Sequence, residues 1–103
     1  MMGPAMELAR SYGVGVRFAD LGDWGNAELR SEYDPAIPEI RLNVRFAANL
    51  TLAELAEFIA LAVGHELYHH REAIDETPVL RDRGEREAAA ARFARALFDE
   101  SAR

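Results

Sequence analysis

Residues 51–69, from Thr51 to His69, read TLAELAEFIALAVGHELYH, and the rest of the chain is organised around them. The first four, Thr51-Leu52-Ala53-Glu54, spell a capping box. The Thr51 hydroxyl can accept from a free N–H of the first turn, and the Glu54 carboxylate can reach back to the Thr51 N–H. From there Leu52, Leu55, Phe58, Ile59, Leu61, Ala62 and Val63 recur at helical spacing, with no proline before Pro78. The spacing predicts a long helix ending in His65-Glu66-Leu67-Tyr68-His69, an H-E-x-x-H pattern. Residues four apart lie on one face, a turn above each other, so His65 and His69 can address one ion. Glu66 beside them is placed to take a proton from water held by that ion. The His65 stripe runs back through Ala62, Leu61 and Phe58, all apolar. Imidazoles at the end of such a stripe need partners for their lone pairs, and a metal supplies one for both.

A zinc enzyme holds three protein ligands and leaves the fourth position to water. Residues 85–102 read as a second helix, rich in alanine with Arg and Glu on its outer faces. Two carboxylates compete there. Glu87 shares a face with Ala90, Ala91, Ala94, Leu97 and Phe98, while Glu85 shares a wetter one with Ala88, Ala89, Arg92 and Ala96. A carboxylate on an inward face is costly unless something neutralises it, so Glu87 is the expected third ligand. Glu85 is expected in solvent near the helix start, where negative charge is favoured. The competing reading of Glu87 is an exposed helical Glu paired with an Arg.

On these two motifs the chain resembles the ImmA/IrrE family of zinc metallopeptidases. That family carries H-E-L-G-H on one helix and E-x-x-A-x-x-F-A on the next. Here they stand as His65 to His69 and as Glu87 to Ala94, and the resemblance covers roughly residues 6 to 98. It implies a minimal zincin-like α+β fold. It implies zinc held by His65, His69 and Glu87, with Glu66 as catalytic base. It also implies cleavage of a specific protein substrate of the helix-turn-helix repressor type. Three positions depart from the pattern: Tyr68 replaces a Gly, Ala91 stands where Asn is frequent, and Phe98 replaces the second Leu of a pair. Relatives usually continue beyond the second helix.

The remaining sequence fits one small α+β domain over residues 1–103. Residues 4–12 are expected to form an amphipathic helix with Met6, Leu8, Ala9 and Tyr12 inward and Gly13 as its stop. Val14, Val16 and Phe18 alternate as a strand. Gly22 to Asn26 reads as a turn, Ala27 to Tyr33 as a second strand broken by Asp34-Pro35, and Glu39 to Val44 as a third. Short spacers predict a three-stranded antiparallel sheet on one side of the motif helix, with Glu39–Val44 as the edge beside the cleft and the C-terminal helix on the other side. Asn43 is a weaker candidate for the site, reading more simply as a strand-end Asn in a local turn. Residues 75–84 are a loop expected to rim the cleft. Tyr33, Tyr68 and His70 are the side chains available to steady an oxyanion, but spacing places none of them there, and His70 reads as a surface histidine.

With no cysteine, the chain has neither a disulfide framework nor a thiolate metal site. A net charge of −6 argues against a nucleic-acid surface and suits a basic protein partner. No targeting segment is evident, and the longest apolar run, Phe58 to Val63, is too short for a bilayer, so a cytoplasmic protein is expected. The leading expectation is a zinc peptidase. Two alternatives are a non-catalytic zinc-binding module acting by contact, such as an anti-repressor or toxin–antitoxin partner, and a zinc hydrolase of a non-peptide bond.

Overall fold

In the computed structural model, which describes residues 3–23 and 29–101, seven elements follow in order. They are α1 (Pro4–Ser11), β1 (Gly15–Ala19), β2 (Ser31–Asp34), β3 (Glu39–Asn43), α2 (Val44–Ala47), α3 (Leu52–Ala73) and α4 (Arg83–Ser101). The capping box starts α3: Glu54 N–H donates to Thr51 Oγ1 at 3.2 Å, and Thr51 N–H donates to Glu54 Oε1 at 2.9 Å. Such a cap stabilises a helix by about 1 kcal/mol. Leu52 departs from the predicted apolar stripe. It is 87% exposed, because the whole first turn of α3 lies outside the core and the stripe begins at Leu55.

Both α1 and α3 end in the same backbone closure. Gly13 takes φ 71, and the N–H groups of Gly13 and Val14 return to the carbonyls of Arg10 and Ala9 at 3.1 and 2.9 Å. Asp75 takes φ 62, and the N–H groups of Asp75 and Glu76 return to Glu72 and Arg71 at 3.2 and 2.9 Å. This is the Schellman pattern, and the predicted stop at Gly13 stands.

The sheet corrects the expected topology. Its order is β1-β3-β2, with β1 parallel and β2 antiparallel to β3, so it is mixed, and β3 is central instead of an edge. β1 and β2 flank a slot, and the turn at residues 35–38 folds β3 back into it between them. The central strand is the most buried: Ile40 and Leu42 of β3 are 0% and 1% exposed, and its charged residues Glu39 and Arg41 pair with Arg17, Glu32 and Asp34 of the strands on either side. Of the turn predicted over residues 22–26 and the strand over residues 27–33, residues 24–28 lie outside the described residues. β3 stops at Asn43, one residue short of the predicted end at Val44, because Val44 opens the short helix α2. Buried Asn43 caps α2 by accepting from Arg45 N–H at 3.1 Å. It also accepts from Leu21 N–H and donates to the carbonyls of Gly22 and Leu29.

The two sheet faces differ in kind. Ile40 and Leu42 pack with Val63 and Leu67 of α3, and Val16 and Tyr33 lie against that cluster. The other face is an ion network: Arg41 reaches Glu32 and Glu39 at 2.7 Å each and Asp34 at 3.3 Å, and Arg17 reaches Glu39 at 2.9 Å. α4 closes the opposite side of α3 with Ala90 and Ala94 buried. Gly64 sets that approach. A Cβ there would lie 2.8 Å from Ala94 Cα and 2.9 Å from Ala94 Cβ, so only glycine lets the helices come this close. Among the described residues, no helix is long and apolar enough to cross a membrane.

Candidate metal centre

The end of α3 presents His65 and His69 one turn apart, and the first turns of α4 bring Glu87 to them. His65 Nε2 and His69 Nε2 each lie 3.0 Å from the same oxygen, Glu87 Oε2. Ligand atoms of the three residues all fall within 4.8 Å of one another, so the group could hold one metal ion. A tetrahedral ion with nitrogen and oxygen ligands separates its donors by roughly 3.3 Å, so each His–Glu87 distance would lengthen by roughly 0.3 Å around one. Glu87 is less buried than its helical position suggested. Its side chain is 47% exposed, as are Ala91 and Glu85 in part or whole, while Ala90 and Ala94 take the buried face. The carboxylate stands at the border of that face, with one oxygen turned to the rings. α4 begins two residues earlier than predicted, where the Asp82 carboxylate accepts from Glu85 N–H at 2.9 Å.

Behind the rings lies a second layer that the sequence reading missed. His69 Nδ1 is 2.7 Å from Glu72 Oε1, and Arg86 donates to both Glu72 oxygens at 3.1 Å. Arg86 holds the Glu72 carboxyl below the usual carboxylate range although burial opposes it. Glu72 is therefore an ionised acceptor, and His69 Nδ1 must be the donor. At Nε2 the same ring faces Glu87 Oε2 at 3.0 Å, so a cation shared by the two, a ring proton or a metal ion, satisfies both, and the donor set suits a metal ion. The available signal was position: Glu72 lies three residues after His69, on the same face of the helix.

Glu66 is 8% exposed and accepts from the Ser31 hydroxyl at 2.6 Å through Oε2. Ser31, Glu66, His65 and Glu87 open onto one cleft of about 1150 Å³. It runs along α3 over Phe46, Leu50, Phe58 and Leu61, with Arg30, Arg92 and Arg95 on its walls. The Arg30 guanidinium sits 4.5 Å above the Phe46 ring, and Arg95 pairs with Glu57 at 3.6 Å. Residues 75–84, expected to rim the cleft, do not line it, and neither does Asn43.

None of the three oxyanion candidates lines the cleft. His70, expected at the surface, is 5% exposed: its Nδ1 lies 2.6 Å from Tyr33 Oη and the Tyr12 ring meets it edge-on. Burial lowers its pKa. Tyr68 is buried against His69 and Phe93.

Comparison with protein-family models, with curated proteins and with solved structures gives no match to this chain.

Proposed function

We propose that this chain is a zinc-dependent peptidase of the zincin kind, with His65, His69 and Glu87 as metal ligands and Glu66 as general base. The observation that carries the reading is the meeting of two imidazole Nε2 atoms and one carboxylate oxygen beside Glu66, at the end of an open cleft. Two neutral imidazoles and one carboxylate leave a divalent ion with net positive charge. A zinc ion held there supplies a water whose pKa falls toward about 7 and a Lewis acid for the scissile carbonyl. Glu66 takes the proton of the attacking water and passes it to the leaving amine. Glu72, clamped by Arg86, fixes the orientation of His69.

An extended substrate would pair with the outer edge of β2, not β3, since β2 has a neighbour on one side only and Ser31 reaches the cleft. The apolar floor of the cleft then takes a side chain next to the scissile bond. The resemblance to the ImmA/IrrE family adds a substrate class, a helix-turn-helix repressor. The net charge of −6 suits so basic a partner, and such a substrate places the protein in the cytoplasm.

Metal analysis of purified protein should give one zinc per chain, lost in His65→Ala. Cleavage of a denatured-protein peptide mixture, followed by mass spectrometry, should occur with the wild type and stop in Glu66→Gln while zinc is retained. Absence of zinc from the wild type would sink the reading. Zinc without cleavage in either protein favours the non-catalytic module.

A further inference from the structure

We infer that Ser31 is a positioning residue for Glu66, an inference that rests on the peptidase reading of the site. Ser31 is the first residue of β2 and lies opposite Leu42 on the face of the sheet that meets α3. Its hydroxyl donates to Glu66 Oε2 at 2.6 Å, a short bond of the charge-assisted kind. Among the described residues this is the one hydrogen bond recorded for the Glu66 carboxylate, which leaves Oε1 open.

The contact belongs to a matched pair. Two residues further along β2, Tyr33 meets His70, four residues further along α3. Two strand residues advance roughly 6.7 Å and four helical residues roughly 6 Å, so β2 lies along α3 in step. The two polar positions on the inner face of β2 each reach a polar residue of the helix. The Tyr33 contact closes on neutral rings and fixes the spacing. The Ser31 contact falls on the carboxylate next to a ligand.

A glutamate has three side-chain torsions, and a base left free to turn loses the geometry that proton transfer requires. The β2–β3 ladder holds the Ser31 backbone, so its hydroxyl is a rigid donor. One carboxylate oxygen is thereby pinned in a residue that lines the cleft shared with His65 and Glu87.

The test uses the cobalt(II)-substituted protein and acetohydroxamate. This probe chelates a bound divalent ion, and its O–H proton passes to the adjacent carboxylate as its oxygen replaces water on the ion. Ser31→Ala should take up cobalt as the wild type does, yet bind acetohydroxamate about 10-fold more weakly, approaching Glu66→Gln. Ser31→Thr, which keeps the hydroxyl, should restore binding. Ser31→Cys, similar in size with a weaker donor, gives the same comparison should the alanine variant not fold. The inference is overturned if Ser31→Ala binds the probe like the wild type while Glu66→Gln does not, if Ser31→Thr is as weak as Ser31→Ala, or if Glu66→Gln leaves binding unchanged. A wild type that takes up no cobalt fails earlier, at the metal site, and brings the peptidase reading down with it.

Discussion

His69 and His70 are neighbours in the chain and end in opposite surroundings. His69 sits between two carboxylates, Glu72 at 2.7 Å on one ring nitrogen and Glu87 at 3.0 Å on the other. His70 sits among neutral rings, bonded to Tyr33 and flanked by Tyr12. About 100° of helix rotation separates them. That rotation turns one imidazole toward α4, and the other toward the sheet and α1. The polar needs of His70 are met by neutral partners within the fold. His69 faces a carboxylate oxygen at each ring nitrogen, an arrangement that a cation at Nε2 would complete. Two identical side chains thus divide the end of α3 into a side that holds the fold and a side equipped for chemistry.

The sharpest way to break this contrast is to delete each imidazole in turn. His69→Ala should abolish stoichiometric zinc uptake. His70→Ala should keep the metal and lose about 2–3 kcal/mol of folding stability, because it leaves the Tyr33 hydroxyl without its partner beside a new cavity. Metal content and urea denaturation of the metal-free protein read the two effects separately. Similar zinc loss in both variants would remove the distinction between the faces.

A second cut spares the ligands and removes what orients them. Glu72→Gln should weaken zinc binding about 10- to 100-fold, the usual consequence of losing a carboxylate behind a metal-bound histidine. Competition against a chromophoric chelator measures it. Unchanged affinity would show that His69 is oriented by packing, with Tyr68 and Phe93 the candidates.

What could be read from the sequence was what a single helix encodes. Thr51 with Glu54, and His65 with His69, are relations within one turn, and helical spacing alone predicts them. Glu87 was found by its helical face, but its half-exposure was not, because that depends on where α4 crosses α3. The central place of β3, the Ser31–Glu66 bond and the Glu72–Arg86 clamp join residues brought together by the chain path, and no local period announces them. Gly64 is the clearest case. It reads as a weak point in a helix, yet it is where Ala94 comes closest. Gly64→Ala should therefore cost about 1–2 kcal/mol despite the better helix propensity of alanine, since the added methyl forces the helices apart. It should also weaken zinc binding as α4 carries Glu87 away. Ala94→Gly in the same chain should recover part of both losses, and an additive double-mutant cycle would show that the two residues do not press on each other.

The smallest effect on the metal site is expected from the ion network on the far side of the sheet. Arg41 on the outer face of the sheet is held by Glu32, Glu39 and Asp34, as Glu72 is held by Arg86, but it orients no ligand. Hydrogen bonding to Arg41, with Arg17 adding to it, holds the Glu39 carboxyl below its usual range. As pH falls past the ordinary glutamate value of about 4.3, the unfolded chain takes up this proton before the folded one does. The contribution of Glu39 is thus complete above that pH and disappears as pH drops through the lower folded value. Arg41→Met should flatten this part of the stability profile between about pH 5 and pH 3, because the stability it removes is present above that range, neutrality included, and already absent below it, and it should leave zinc affinity unchanged. Denaturation midpoints across that range, beside a chelator titration, test both statements. A drop in zinc affinity would mean that the two sides of the sheet are coupled through β3, and that the division drawn between His69 and His70 does not extend outward to the strands.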